Sequence, residues 1–202
     1  ASLQNELKIV LTKNDFNFIT MTNAGCDFVK ISKKNEDIFC NENIHDERLK
    51  KIKNTKNNII IMHLNYSNKN FENDLTSQKD FVKNMNNLVN LGNKIIIIYP
   101  LPQMKVHVSN ELSKKIRSNK KNLTRFLEDK KNYISIDYKE FKEETKYIKN
   151  ILDNLNHKNI FKVNVENIFC NKNLLNKCIA HDNKNLYFVD NNHLSNFSSK
   201  KI

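Results

Sequence analysis

The sequence predicts an α/β fold, a three-layer α/β/α sandwich built on a parallel sheet. Two observations lead to this prediction: short apolar runs recur along the chain, and amphipathic helical patterns lie between them. Strands that alternate with helices are typical of a parallel sheet covered by helices on both faces. In such folds the functional site lies beyond the carboxyl ends of the strands, so we expect functional side chains to follow the apolar runs.

Three apolar runs, at 58–62, 94–99 and 159–165, predict the core strands. The first two are almost purely aliphatic, as expected for strands that are buried on both faces. We expect them to be parallel neighbours, joined by a right-handed crossover through the intervening helix. A short strand-like run at 17–22 predicts a further strand before them.

Apolar residues at helical spacing predict helices over 2–13, 75–91 and 138–155. In the second of these helices, Ser77 is placed like the first residue of a capping box. Gly92 is placed like the residue that follows the end of a helix. The helix over 75–91 therefore connects two of the predicted strands.

Composition indicates a single globular domain over residues 1–202, with 39% hydrophobic and 28% charged residues. The net charge of +12 suits an anionic partner such as nucleic acid, an acidic glycan or a membrane surface. Because the basic residues are spread along the whole chain, we expect no nucleic-acid binding, and salt-sensitive DNA binding is the weakest alternative. No apolar stretch is long enough to span a membrane, and no signal-peptide pattern occurs.

Candidate catalytic residues lie near the end of the chain, where the apolar run 187–189 leads into Asp190-Asn-Asn-His193. A carboxylate and an imidazole three residues apart in a polar turn can act together as an acid/base pair. In a catalytic triad the imidazole takes a proton from a nucleophilic hydroxyl, while the carboxylate fixes its tautomer. A solvated turn is the alternative interpretation of these four residues.

The segment 186–195, which follows Cys170, Cys178 and a predicted strand, resembles the last sequence block of SGNH hydrolase-like domains. It is most similar to the domains fused behind multi-pass membrane O-acyltransferases that decorate bacterial surface polysaccharides. The predicted strand order agrees with the flavodoxin-like sandwich of that family over nearly the whole chain. The resemblance implies a Ser-His-Asp site that moves or removes an acyl group, usually acetyl, on a carbohydrate hydroxyl.

The resemblance also implies roles for individual residues. His193 would be the base and Asp190 its orienting partner. Asn65 lies where the family's third block places an oxyanion-hole asparagine, although His63 stands where that block has a glycine. Gly25 resembles the glycine of the second block, whose backbone N–H would be a second oxyanion donor. A tight turn at Gly25 and an ordinary loop position for Asn65 are the alternative interpretations.

The family's first block is a strand followed by Gly-Asp-Ser, and no Gly-Asp-Ser occurs in these 202 residues. We interpret the chain as beginning just after that block, so that the first strand and the serine precede it. Ser2 would then be a helix-start residue, because a nucleophile needs a strained strand-to-helix elbow. The resemblance therefore implies an acyltransferase or acyl esterase whose serine lies outside this chain. The alternative is a non-catalytic carbohydrate-binding or partner-docking module that has lost the serine.

The four cysteines allow three pairings. Short spacing in polar loops, together with the family's extracytoplasmic setting, favours Cys26 with Cys40 and Cys170 with Cys178. The spacings contain no Cys-x-x-Cys and no nearby histidine completes a ligand set, so we predict no metal site, and we predict no cofactor. The resemblance implies an acyl donor and a carbohydrate acceptor, a membrane acyltransferase domain in the parent protein, and a periplasmic or extracytoplasmic location.

Overall fold

A computed structural model describes residues 2–20, 42–63, 72–118 and 123–202. The chain divides into two compact units. The first unit comprises Ala1–Thr20, Leu101–Glu143 and Val165–Ile202, and the second comprises Met21–Pro100 and Glu144–Asn164. No helix in the described ranges is long and apolar enough to cross a membrane.

The three core strands and the three main helices lie close to the predicted positions. The strands are β1 (Ile59–Met62), β2 (Lys94–Ile98), β3 (Ser135–Asp137), β4 (Ile160–Val163) and β5 (Lys177–Ile179). The helices are α1 (Ser2–Lys13), α2 (Glu42–Lys53), α3 (Leu75–Asn90), α4 (Val108–Ser118), α5 (Leu123–Glu128), α6 (Tyr138–Asp153), α7 (Glu166–Phe169) and α8 (Asn196–Ser199). A 3₁₀ helix covers Lys130–Asn132.

The second unit contains a three-stranded parallel sheet in the order β1-β2-β4. Ile60 lies opposite Ile95 in the first pair of strands, and Ile96 lies opposite Phe161 in the second pair. The predicted parallel pairing of the first two apolar runs is therefore confirmed, and so is the α/β fold class.

Helix α3 and the second half of α6 bury their apolar faces in the core of the second unit. Phe81, Met85 and Leu88 of α3 are no more than 1% exposed, and the same holds for Ile148 and Leu152 of α6. These side chains form one cluster with the inward-facing isoleucines of β2. A fully buried side chain of this size stabilises a fold by about 1.5–3 kcal/mol relative to an exposed one. Hydrophobic burial therefore holds the sheet and its helices together.

The first unit contains a two-stranded antiparallel sheet, in which Ile136 of β3 lies opposite Cys178 of β5. Cys178 forms a disulfide with Cys170, one of the two predicted pairs. The other predicted pair, Cys26 with Cys40, lies outside the described residues. The sequence did not predict β3 or β5, because strands of three residues are too short to show a period.

The strand predicted at 17–22 is wrong over residues 17–20, which have no regular structure, and residues 21–22 lie outside the described ranges. The Ile19 side chain is 77% exposed. A strand needs a neighbour that satisfies its main-chain donors and acceptors. A local apolar run does not provide this neighbour by itself.

The two ends of α3 differ in how well the sequence predicted them. The capping residue is Asp74 and not Ser77, because the Asp74 carboxylate accepts the N–H of Thr76 at 3.1 Å and of Ser77 at 3.0 Å. At the other end, Gly92 has a φ of +82°, the left-handed conformation that favours glycine after a helix.

The buried side chain of Asn93 joins three segments of the second unit. Its amide donates to the carbonyl oxygen of Thr55 at 2.7 Å and of Leu88 at 2.8 Å. Its Oδ1 accepts the N–H of Asn58 at 3.0 Å. Buried main-chain groups need such partners in place of water, so this amide helps to fix the turns that lead into β1 and β2.

We predict that Asn93→Ala lowers the free energy of unfolding by about 2–4 kcal/mol, because it deletes three hydrogen bonds at a buried position. Urea denaturation followed by circular dichroism measures this change. Asn90→Ala, at the exposed end of α3, is the matched control and should change the stability by less than about 0.5 kcal/mol. Equal effects of the two substitutions would contradict the role assigned to Asn93.

Candidate active site

Residues 189–193 form a closed turn in the first unit, which we name the Asp-His turn. Its ends are joined because the N–H of Val189 donates to the carbonyl oxygen of His193 at 2.9 Å. Just outside the turn, Phe188 and Leu194 face each other as an antiparallel bridge, and both are buried. The turn thus projects from two buried residues, Phe188 and Leu194.

The carboxylate of Asp190 organises this turn. Its Oδ1 accepts the N–H of Asn192 at 3.0 Å and of His193 at 2.8 Å, a side-chain-to-backbone pattern that is typical of aspartate turns. Its Oδ2 lies 2.7 Å from His193 Nδ1. An ionised carboxylate only accepts hydrogen bonds, so Nδ1 carries a proton, and in the neutral ring Nε2 has the lone pair. This is the tautomer that a general base of a serine hydrolase requires.

The exposure of His193 and the charge of Asp190 also suit an acid/base pair. The His193 side chain is 61% exposed, whereas the Asp190 side chain is 24% exposed. Burial acts to raise the pKa of the Asp190 carboxyl, but the N–H donors of Asn192 and His193 and the imidazole together outweigh it and lower the pKa. The carboxylate is therefore ionised at neutral pH, and the imidazole is open to solvent.

A packed scaffold supports the residues that lead into the turn. The Phe188 ring packs on Phe169, with ring centroids 4.9 Å apart. The N–H groups of Tyr187 and Phe188 donate to the carbonyl oxygen of Ala180 at 2.8 Å and 3.2 Å. Ser195 donates its N–H to the Tyr187 carbonyl at 2.9 Å. These contacts fix both chain segments from which the Asp-His turn projects.

A second aspartate turn lies just before the Asp-His turn. Asp182 Oδ1 accepts the N–H of Lys184 at 2.8 Å and of Asn185 at 2.7 Å. Its Oδ2 accepts the hydroxyl proton of Tyr187 at 2.7 Å. This turn was not predicted, although the Asp-x-x-Asn pattern that signals it is visible in the sequence. Its carboxylate meets backbone N–H groups and a tyrosine hydroxyl, and no imidazole among the described residues contacts that carboxylate, so the turn acts as structural support.

His181 is a structural residue and not a second base. Its ring is 1% exposed, Nε2 accepts the N–H of Ile134 at 3.1 Å, and Nδ1 lies 3.1 Å from the Asp182 carbonyl oxygen. Both ring nitrogens are thus occupied in the neutral form. Burial lowers the pKa of His181, and the opposing effect of Asp182 does not cancel it. Cys178, in the nearby strand, is no nucleophile because its sulfur is in the disulfide.

Of the predicted site residues, the structure brings together Asp190 and His193. Gly25 and Asn65, the predicted oxyanion donors, lie outside the described residues. His63 follows β1 in the second unit and is exposed. Ser2 begins α1, as expected for a helix-start residue.

Two other kinds of site, a metal centre and an apolar groove, are relevant within the described ranges. No group of three or more His, Cys, Asp or Glu side chains there could hold a metal ion. The second unit has an open groove between α3 and α6, with Leu75, Val82 and Ile151 among its lining residues. The lining includes neither Asp190 nor His193, so the Asp-His turn remains the candidate active site.

A parallel sheet flanked by helices and an Asp-x-x-His pair in a late turn are the features expected of an SGNH hydrolase-like domain. The chain belongs to the family of SGNH domains fused to AT3 domains, whose model matches residues 1–202. The resemblance seen in the sequence is therefore confirmed.

A solved structure supports the fold independently. The chain is similar to the lipopolysaccharide acetyltransferase periplasmic domain of Salmonella ser. Paratyphi A, with a TM-score of 0.63 and 16% sequence identity. The match covers 98% of this chain and 74% of that chain. At this identity the similarity establishes the fold alone. No curated protein matches the chain.

We predict that stability falls as the pH drops from 7 to 5, in part because of His181. The unfolded histidine binds a proton near its ordinary pKa of about 6.5, whereas the native ring, whose pKa is lowered, stays neutral to lower pH. His181→Asn should therefore lose part of this dependence, as measured by urea denaturation at a series of pH values. Above pH 7.5 the two proteins should differ by a constant amount. Equal slopes between pH 7 and 5 would refute this account.

Proposed function

We propose that the chain is the hydrolase-like domain of an O-acyltransferase or acyl esterase that acts on cell-surface carbohydrate. The observation that carries the proposal is the 2.7 Å contact between Asp190 Oδ2 and His193 Nδ1, with the imidazole exposed. The match to SGNH domains fused to AT3 domains supports the reaction class. The similar Salmonella domain belongs to an acetyltransferase of lipopolysaccharide, which supports a carbohydrate acceptor.

The reaction divides into two half-reactions. In the first, His193 Nε2 takes the proton of a serine hydroxyl while the serine oxygen attacks the acyl carbonyl, and the imidazolium then protonates the departing oxygen of the donor. In the second, a sugar hydroxyl or water gives its proton to His193 and attacks the acyl-enzyme. The acyl–serine bond breaks, and the imidazolium returns a proton to the serine oxygen. Asp190 holds the imidazole in the required tautomer throughout and stabilises its charged form.

Three parts of this mechanism are proposed from the family resemblance. The serine would come from residues outside these 202, since no Gly-Asp-Ser occurs in them. Gly25 and Asn65 would donate hydrogen bonds to the oxyanion, and preorganised donors of this kind commonly contribute about 3–4 kcal/mol each to catalysis. Without the serine, His193 has no hydroxyl proton to take, so we expect little activity from the 202-residue chain alone.

We further propose an extracytoplasmic location and a membrane acyltransferase domain in the same protein. The family is described as SGNH domains fused to AT3 domains, which supports the membrane partner. The disulfide between Cys170 and Cys178 supports an oxidising compartment, because structural disulfides persist there and are rare in the cytosol. The acyl donor would reach this domain from the membrane partner.

A second candidate function rests on one observation, the absence of Gly-Asp-Ser from these 202 residues. If the parent protein lacks the serine as well, the domain keeps the fold of a hydrolase and binds carbohydrate or a partner without acylating it. The sequence preceding residue 1 and the labelling experiment below distinguish the two functions.

We predict that a serine-directed fluorophosphonate labels the chain when it is extended upstream by one strand, and does not label residues 1–202 alone. His193→Gln in the extended protein should abolish the labelling and lower hydrolysis of an acetyl ester by about 10³-fold or more. Asp190→Asn should lower the same rate by about 10²–10⁴-fold, because the ring is then free to adopt the wrong tautomer. Peptide mapping identifies the labelled serine.

His157→Gln is the matched control, since His157 lies in the second unit with its Nδ1 accepting the N–H of Asn159. This substitution should leave both labelling and hydrolysis unchanged. Absence of labelling in both the short and the extended protein would sink the enzyme proposal and favour the binding module.

A further inference from the structure

The Asp-His turn is anchored from outside by the segment 104–109, which lies in the same unit. The N–H of Met104 donates to the carbonyl oxygen of Asn191 at 2.7 Å. The N–H of Ser109 donates to the carbonyl oxygen of Val189 at 3.0 Å, and the Ser109 hydroxyl donates to the same oxygen. The two accepting carbonyls belong to the residues before and after Asp190.

Hydrogen bonds, and not packing, hold this turn in place. None of its five residues is buried, and the Val189 side chain is 37% exposed. A turn without buried side chains depends on hydrogen bonds for its geometry, here those of its backbone and those of the Asp190 carboxylate. The hydrogen bonds from Met104 and Ser109 therefore help to orient the Asp190 carboxylate.

Ser109 contributes more to this anchoring than any other side chain in the described part of the chain. It is the second residue of α4, so its N–H is one of the donors that a helix start leaves without an intrahelical partner. Its hydroxyl adds a second donor, and both meet at one oxygen of the turn. Among the described residues, no other side chain from outside the turn forms a hydrogen bond with it.

We propose that Ser109 is a positioning residue, which holds the Val189 carbonyl so that the Asp190 carboxylate stays aligned with His193 Nδ1. Its catalytic consequence rests on the proposed function, since the aligned pair is the one that would serve the serine. A catalytic group needs to be held to within about 0.5 Å, and a misplacement of 1 Å costs up to about 10²-fold in rate. Ser109 would act through the turn and not on the substrate.

Ser109→Ala removes the hydroxyl and keeps the main-chain N–H, so the fold should persist while the turn opens more often. We predict that amide hydrogen exchange at Asn192 and His193, whose N–H groups bind Asp190, becomes about fivefold faster on the 202-residue chain. Nuclear magnetic resonance measures these rates. The pKa of Asp190 should also rise towards its ordinary value, because its N–H donors are engaged for less of the time.

Two further variants provide the controls. Ser113→Ala removes an exposed hydroxyl from the same helix and should leave exchange in the turn unchanged. Ser109→Thr restores a hydroxyl and should recover the wild-type exchange rates. In the extended protein that carries the serine, Ser109→Ala should lower kcat for acetyl ester hydrolysis about tenfold with KM unchanged, and Ser113→Ala should not.

Faster exchange at Asn192 and His193 in Ser109→Ala alone supports the inference. Unchanged exchange in that variant overturns it, and so does an equal increase at the buried amides of β2, which would indicate general destabilisation. Because the exchange experiment needs no serine, it decides the inference even if the extended protein shows no labelling. Absence of labelling in the extended protein would contradict the proposed function, and the exchange rates would still test whether Ser109 anchors the turn.

Discussion

The candidate active site depends on the Asp190 carboxylate and the three hydrogen bonds that it accepts. The N–H groups of Asn192 and His193 fix the Asp190 side chain, and the second carboxylate oxygen meets the imidazole. Hydrogen bonds to an ionised acceptor are stronger than neutral ones, so a short exposed turn can hold a defined shape. Because the same donors lower the pKa of Asp190, the carboxylate remains charged and keeps the imidazole proton on Nδ1. The proton on His193 Nδ1 is therefore fixed by the geometry of a backbone turn.

The Asp-His turn differs from the neighbouring Asp182 turn in the group that meets its carboxylate. Asp182 accepts the N–H groups two and three residues later, as Asp190 does. At the fourth position stands Asn185, and the remaining carboxylate oxygen accepts the Tyr187 hydroxyl. The two aspartates thus accept the same backbone donors, and the turns differ in the residue at the fourth position, an asparagine in one and a histidine in the other. This is why an Asp-x-x-His pattern is by itself a weak signal of function.

Apolar burial contributes to both units, and the first unit adds directional contacts around the Asp-His turn. Parallel strands of the second unit are held by apolar side chains from α3 and α6 that exclude water from a common core. Near the Asp-His turn, the short strands and turns of the first unit are tied by hydrogen bonds, ring contacts such as that between Phe169 and Phe188, and the Cys170–Cys178 disulfide. Phe169, Phe188 and Leu194 are buried as well, so packing and directional contacts act together around the turn.

The sequence by itself determined the core strands, the main helices, the parallel pairing of β1 with β2, and the Asp190–His193 pair, since each depends on local periodicity or close spacing. Tertiary structure decided the rest. It left residues 17–20 without regular structure, and it placed the Asn93 side chain between residues 55–58 and the end of α3. It also brought Ser109 to the Val189 carbonyl across 80 positions of the chain. A hydrogen bond between groups so far apart in sequence leaves no periodic trace, because its partners become neighbours only when the chain folds.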